Sequence, residues 1–201
     1  MGMTNAAPKD KSDVIVTDPR ELNESRLKSE RLFTGRVLSL ELDSVALPNG
    51  DVASRELIRH VGAVAVVPLF PDGTVAVEEQ YRYPIDRIIL EIPAGKLDSP
   101  DEDRLEAARR ELREETGLIA DSMICLGEYF GSPAILDERI TLYLATGLTE
   151  GTVKRDSDEF MTVRRIPLET LGQWILAGKI PDGKTQAAIS RVILMKEKGL
   201  L

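Results

Sequence analysis

Apolar and polar positions follow two different rhythms along this chain, and each rhythm implies different surroundings. Residues 61–68, V-G-A-V-A-V-V-P, are almost wholly apolar, the pattern of a strand covered on both faces. Residues 32–47 alternate more loosely and end at Pro48-Asn49-Gly50-Asp51, a hairpin turn that predicts a returning strand over residues 52–59. Together these form an N-terminal β-hairpin arm. Pro71-Asp72-Gly73 turns the chain again, residues 74–81 read as a strand, and residues 88–92 form a short strand leading to a turn at Ala94-Gly95. Further strands are expected near residues 123–130, 140–146 and 158–166, with helices over 168–177 and 183–198. No internal repeat or low-complexity segment interrupts the pattern. It predicts an α+β sandwich.

Between Gly95 and Gly117 the chain is rich in Ala, Leu, Glu and Arg, the composition of a helix. Gly117 closes it, because glycine accepts the left-handed conformation at a helix end. At ~100° per residue Glu111 and Glu115 stack one turn apart on one face, with Glu114 on its shoulder. Leu105, Ala108 and Leu112 share a different stripe that would pack on the body of the domain. Like charges four apart destabilise a helix, and the Arg110–Glu114 pair offsets part of that. Such runs on a helix are ordinarily a solvated face. Clustered carboxylates also bind hard divalent cations, which do phosphate chemistry.

The 201 residues suffice for one sizeable domain with an appendage, and the net charge of −8 argues against nucleic acid as a partner. The single cysteine, Cys125, excludes an intrachain disulfide and suits a reducing cytoplasm. No apolar run has the length of a membrane span. Residues 1–13 are polar, which predicts a loose leader without a secretion signal. Residues 14–59 then make the arm and 60–201 the main domain. His60, the only histidine, reads as structural, as do Arg164-Arg165 and the Glu128, Asp137 and Glu138 group, and Trp174 reads as core.

The string from Gly95 to Leu118 resembles the Nudix hydrolase signature, G-x5-E-x7-R-E-U-x-E-E-x-G-U with U aliphatic. Gly95, Glu102, Arg110, Glu111, Leu112, Glu114, Glu115, Gly117 and Leu118 fill its fixed positions. The one departure is an extra residue in the loop between Gly95 and Glu102. The stretches Arg55-Glu56-Leu57-Ile58, His60 to Val66, Glu79 to Pro84 and Glu91 to Gly95 are similar to the ADP-ribose pyrophosphatase branch. So is Gly131-Ser132-Pro133, although Ala134 replaces the glycine usual there.

This resemblance implies a Nudix-type α/β/α sandwich with a mixed β-sheet. It also implies Mg2+-dependent hydrolysis (Mn2+ substituting) of a nucleoside diphosphate sugar to a nucleoside monophosphate and a sugar phosphate. Glu111, Glu115 and the Ala94 carbonyl would be metal ligands, with Glu114 a further ligand or supporting group and Arg110 orienting a glutamate of the helix. Arg82 and Arg55 are candidates for the diphosphate or sugar phosphate, and Glu138 is a further candidate for binding substrate. Related enzymes take a base from the loop before the last strand, where this chain has Asp156-Ser157-Asp158-Glu159. Glu159 is the first choice, as base or third metal carboxylate, and Asp158 the second, with Glu114 and Glu138 next. The branch exchanges its N-terminal region in a homodimer, which would bring Phe33 and Arg55 to the partner's site. Two other readings stay open: a nucleoside triphosphate or dinucleoside polyphosphate hydrolase, and a non-catalytic nucleotide-binding regulator of the same fold.

Overall fold

The computed structural model describes residues 18–154 and 160–201, and these fall into two compact units. The first holds the described residues up to Val61 together with Phe130–Glu138. Its strands β1 (Ser25–Thr34), β2 (Ser39–Ala46) and β3 (Val52–Arg59) pair antiparallel in the order β1-β2-β3. The arm therefore has three strands where the sequence pattern suggested two. The run over residues 32–47 is broken where Gly35 N donates to Leu38 O at 2.9 Å and the chain reverses. The second turn lies where the sequence placed it, with Gly50 at φ 88 and Gly50 N donating to Leu47 O at 2.9 Å.

On β2, Glu41, Asp43 and Val45 are buried at every second position, as a pleated strand with one covered face requires. Glu41 accepts from Arg31 Nη2 and Arg59 Nε, each at 2.8 Å, so its buried charge is compensated twice. Arg59 also reaches Asp137 Oδ2 at 3.1 Å, and Ile58 N donates to Ile135 O at 2.7 Å. These bonds fasten the 130–138 segment to β3.

The second unit spans Gly62–Tyr129 and Arg139–Leu201. It carries β4 (Ala63–Pro68), β5 (Thr74–Arg82), β6 (Arg87–Glu91), β7 (Ala94–Lys96), β8 (Leu118–Tyr129), β9 (Ile140–Glu150) and β10 (Met161–Pro167). Its helices are α1 (Arg104–Thr116), α2 (Leu168–Leu176) and α3 (Gly183–Glu197). One sheet runs β7-β4-β9-β8 and the other β10-β5-β6. The first is mixed: β4 is parallel to β9 but antiparallel to β7, and β8 is antiparallel to β9.

Every residue of β4 is buried. Ala63, Ala65 and Val67 join one core with Leu168, Leu171, Ile189 and Val192 of α2 and α3. The alternate positions, Val64 and Val66, face the other way, and α1 packs against β4, β7 and β8. Trp174 packs against the core cluster, as its sequence context suggested. Among the described residues no helix is long and apolar enough to cross a membrane.

Candidate active site

Two elements build the site. Asp103 starts α1 by accepting from Leu105 N at 2.9 Å and Glu106 N at 3.0 Å, and Gly117 ends it at φ 75. The helix buries Ala107, Ala108, Leu112 and Glu115. The sequence stripe had Leu105 where Ala107 stands, and Leu105 is half-buried. Glu115, only 5% exposed, is the unusual member of this face. β7 is the second element, a three-residue strand where the sequence suggested a turn, pairing with β4 from Ala63–Lys96 to Ala65–Ala94.

The strand meets the helix through two carboxylates. Glu115 Oε2 accepts from Ala94 N at 2.8 Å, which supplies a partner for a buried anion. Glu111 lies over Gly95 so closely that a Cβ on residue 95 would fall 2.0 Å from its Cδ and 2.2 Å from both carboxylate oxygens. The signature glycine is needed here for close approach, since its φ lies outside the left-handed region.

Arg110 gathers the remaining acids. Its Nη1 donates to Glu111 Oε1 at 2.7 Å and Glu114 Oε2 at 3.3 Å, and its Nη2 reaches Glu102 Oε1 at 3.2 Å and the Lys96 carbonyl at 3.3 Å. The guanidinium thus orients three glutamates at once. Burial pushes its pKa down, but Glu111 and Glu102 outweigh burial and hold it above the usual arginine range.

Arg82 is held by a different acid. Its Nε and Nη2 form a fork on Glu91 at 2.6 and 2.9 Å, and Lys184 Nζ binds the same carboxylate. Burial pushes the Glu91 carboxyl up, while Arg82 and Lys184 together overcome this and hold it below the usual range. Sequence reasoning did not single out Glu91 or Lys184. A signal existed in Asp182-Gly183-Lys184-Thr185: a lysine in the first turn of a helix sits at the end whose dipole disfavours cations, so it serves another purpose.

Arg55, Phe33 and Glu138 belong to the first unit. Arg55 is paired with Glu24, its Nε at 2.9 Å from Glu24 Oε2, Phe33 is 57% exposed, and Glu138 lies 3.4 Å from His60 Nδ1. Asp158 and Glu159 lie outside the described residues. Arg164 and Arg165 pair with Glu79 and Asp72 at 2.9 and 2.8 Å.

Three glutamates around one guanidinium, with Glu115 on the same helix, leave the site with excess negative charge, a donor set that fits a hard cation. Among the described residues no three acidic, histidine or cysteine side chains already form a metal-holding group.

A carboxylate helix, a glycine strand and a mixed sheet define a hydrolase that works on anionic substrates with a cation. The chain belongs to the Nudix family of hydrolases, whose NUDIX domain matches residues 59–188. It is 41% identical over 175 residues to a methanol dehydrogenase activator of Bacillus methanolicus, covering 86% of this chain and 94% of that one. It is 37% identical over 172 residues to an ADP-ribose pyrophosphatase of Bacillus subtilis (strain 168), covering 85% and 92%. A solved structure of an ADP compounds hydrolase matches with a TM-score of 0.76 at 22% identity, over 89% of this chain and 97% of that one, a likeness of fold. Hydrolases of this family generally use divalent metal ions.

Proposed function

We propose that this chain hydrolyses the diphosphate bond of ADP-ribose or a related nucleoside diphosphate sugar with Mg2+, giving a nucleoside monophosphate and a sugar phosphate. The observation that carries this reading is the carboxylate pair at the strand–helix junction, Glu111 over Gly95 and Glu115 on the Ala94 amide. Glu111, Glu115, the Ala94 carbonyl and Glu114 would hold Mg2+ or Mn2+, with Glu159 joining them as a further carboxylate where Asp158 is the base. When bound, the ion neutralises diphosphate oxygens and lowers the pKa of a water.

The chain's own residues do the rest. Arg110 fixes the glutamates in register, and Arg82 stands ready for the diphosphate. Glu159, or Asp158 second, takes the proton from the attacking water, a task needing an acid not consumed as a ligand. We further propose a homodimer in the cytoplasm, with Phe33 and Arg55 contributing to the partner's site. The 14–59 arm and the 60–201 hydrolase domain are the domain division that goes with it, and the N-terminal segment 1–13 lies outside the described residues.

Similarity to the ADP-ribose pyrophosphatase of Bacillus subtilis supports this substrate class. The likeness to a methanol dehydrogenase activator favours a second reading, in which nucleotide binding without cleavage serves regulation of another enzyme. A panel of ADP-ribose, GDP-mannose, UDP-glucose and NADH, incubated with purified protein with and without Mg2+, separates them. Cleavage of ADP-ribose or another nucleotide sugar only with a divalent metal is expected. Nucleotide binding without any turnover would reject the hydrolytic reading and leave the regulatory one.

A further inference from the structure

Glu91 is 3% exposed and carries two cations, Arg82 from β5 and Lys184 from α3. Both cations reach this one buried carboxylate, from two different elements. The other charged groups around it are Glu78, its register partner on β5 and 3% exposed, and Asp182, 3.1 Å from Lys184 Nζ. Asp182 is already satisfied as the cap of α3, accepting from Thr185 N at 2.9 Å and Thr185 Oγ1 at 2.6 Å. Lys184 therefore bridges Asp182 and Glu91, and of the two carboxylates Glu91 is, among the described residues, the one without neutral donors to hold it.

The two cations also differ in access. The Lys184 side chain is 11% exposed and that of Arg82 is 40% exposed. Lys184 is fixed from beneath, on the first turn of a helix whose Thr185 hydroxyl accepts from Ile92 N at 2.9 Å, next to the residues leading into β7. Arg82 is the outer member of the chain of charges, forked on Glu91 from β5. An arginine that was the sole partner of a buried carboxylate could not leave without stranding an uncompensated charge. With Lys184 beneath, it can.

We propose that Lys184 is a positioning residue that keeps Glu91 compensated, so that the Arg82 guanidinium can pass from Glu91 to the diphosphate of the incoming nucleotide. This rests on the substrate class proposed above and adds how the anion is captured. It also gives the Asp-Gly-Lys-Thr turn a purpose: Asp182 starts the helix, Gly183 leaves room for the Tyr129 hydroxyl, which would lie 2.0 Å from a Cβ there, Lys184 holds Glu91, and Thr185 holds the strand exit.

The test compares the wild type with Lys184→Met, Lys184→Arg, Arg82→Gln and the Arg82→Gln/Lys184→Met double variant, by steady-state kinetics on ADP-ribose with Mg2+ and by thermal unfolding. Lys184→Met raises KM about tenfold with kcat changed less than about threefold, because Arg82 is now pinned to Glu91, and Lys184→Arg restores most of the loss. In the Arg82→Gln background, Lys184→Met adds no further rise in KM. In unfolding, the double variant loses more than the sum of the single losses, because only it leaves Glu91 without a cation. An unchanged KM in a folded Lys184→Met protein, or an additive unfolding cycle, overturns the proposal. If the wild type cleaves no nucleotide sugar of the panel, the substrate reading fails by itself, and the unfolding cycle alone decides whether Lys184 and Arg82 share Glu91.

Discussion

The carboxylate of Glu111 rests on the bare Cα of Gly95, where a Cβ would stand 2.0 Å from Glu111 Cδ. The atoms in the way are the far end of a flexible side chain, so Gly95→Ala is relieved by turning Glu111 aside. The fold tolerates this and the site does not. We expect unfolding within about 1 kcal/mol of wild type and a fall in turnover of about 10²-fold. Equal loss of stability and activity would show that residue 95 acts through folding.

Glu115→Gln keeps the size of the side chain and an acceptor for Ala94 N but removes the charge a cation needs. Turnover should fall by about 10²-fold or more, on the order of 3 kcal/mol, with the circular dichroism spectrum unchanged. Full activity at saturating Mg2+ would remove Glu115 from the metal site.

Arg110→Lys keeps a positive charge and loses the fork that spans Glu102, Glu111 and Glu114. A single ammonium cannot hold three carboxylates in register. The Mg2+ concentration for half-maximal activity should rise about tenfold, on the scale reported for groups that orient metal ligands. A metal titration superimposable on wild type would show that the fork is dispensable.

Glu91 makes stability depend on acid. Its folded-state carboxyl is held below the unfolded value, chiefly by Arg82 and Lys184 acting against burial. Its contribution is therefore complete above the ordinary glutamate pKa of about 4.3 and is lost as pH falls through the depressed value. Glu91→Gln should be less stable than wild type at pH 7, and the gap should narrow below about pH 4.3. Parallel unfolding curves at all pH values would count against this.

All ten residues of β1 are exposed, and among them Leu27, Leu32 and Phe33 are 59%, 50% and 57% exposed. An edge strand that exposes three large apolar side chains has a surface on which a second strand can pair, and the proposed homodimer supplies a cover. Light scattering should give twice the monomer mass, and Leu27→Glu with Leu32→Glu should reduce it to one. An active wild-type monomer at assay concentrations would reject the dimer.

Much of this was legible in the sequence because it was written as periodicity and spacing. The wholly apolar run before Pro68 became a fully buried strand, and the carboxylate helix ends on Gly117 as its composition implied. The reversal at Gly35 was hidden because the residues on either side alternate alike, so the broken run looked continuous. β7 was hidden by its length, three residues giving no period to read. Glu91 and Lys184 lie 93 positions apart, and no local pattern joins them.

The parallel pairing of β4 with β9, from Ala63–Ile140 to Pro68–Ala145, sets the order in which the molecule can assemble. β5, β6, β7, α1 and β8 all lie within the loop that this pairing closes. Closing it costs chain entropy before any contact repays it, which makes such topologies slow to fold. α1 can wind early on its own cap, but the strand that brings Gly95 under Glu111 is anchored on β4. On the ribosome the carboxylate helix therefore emerges after β4 and β7, the strands that seat it, but the mixed sheet that holds those strands is completed only once β9 has been made.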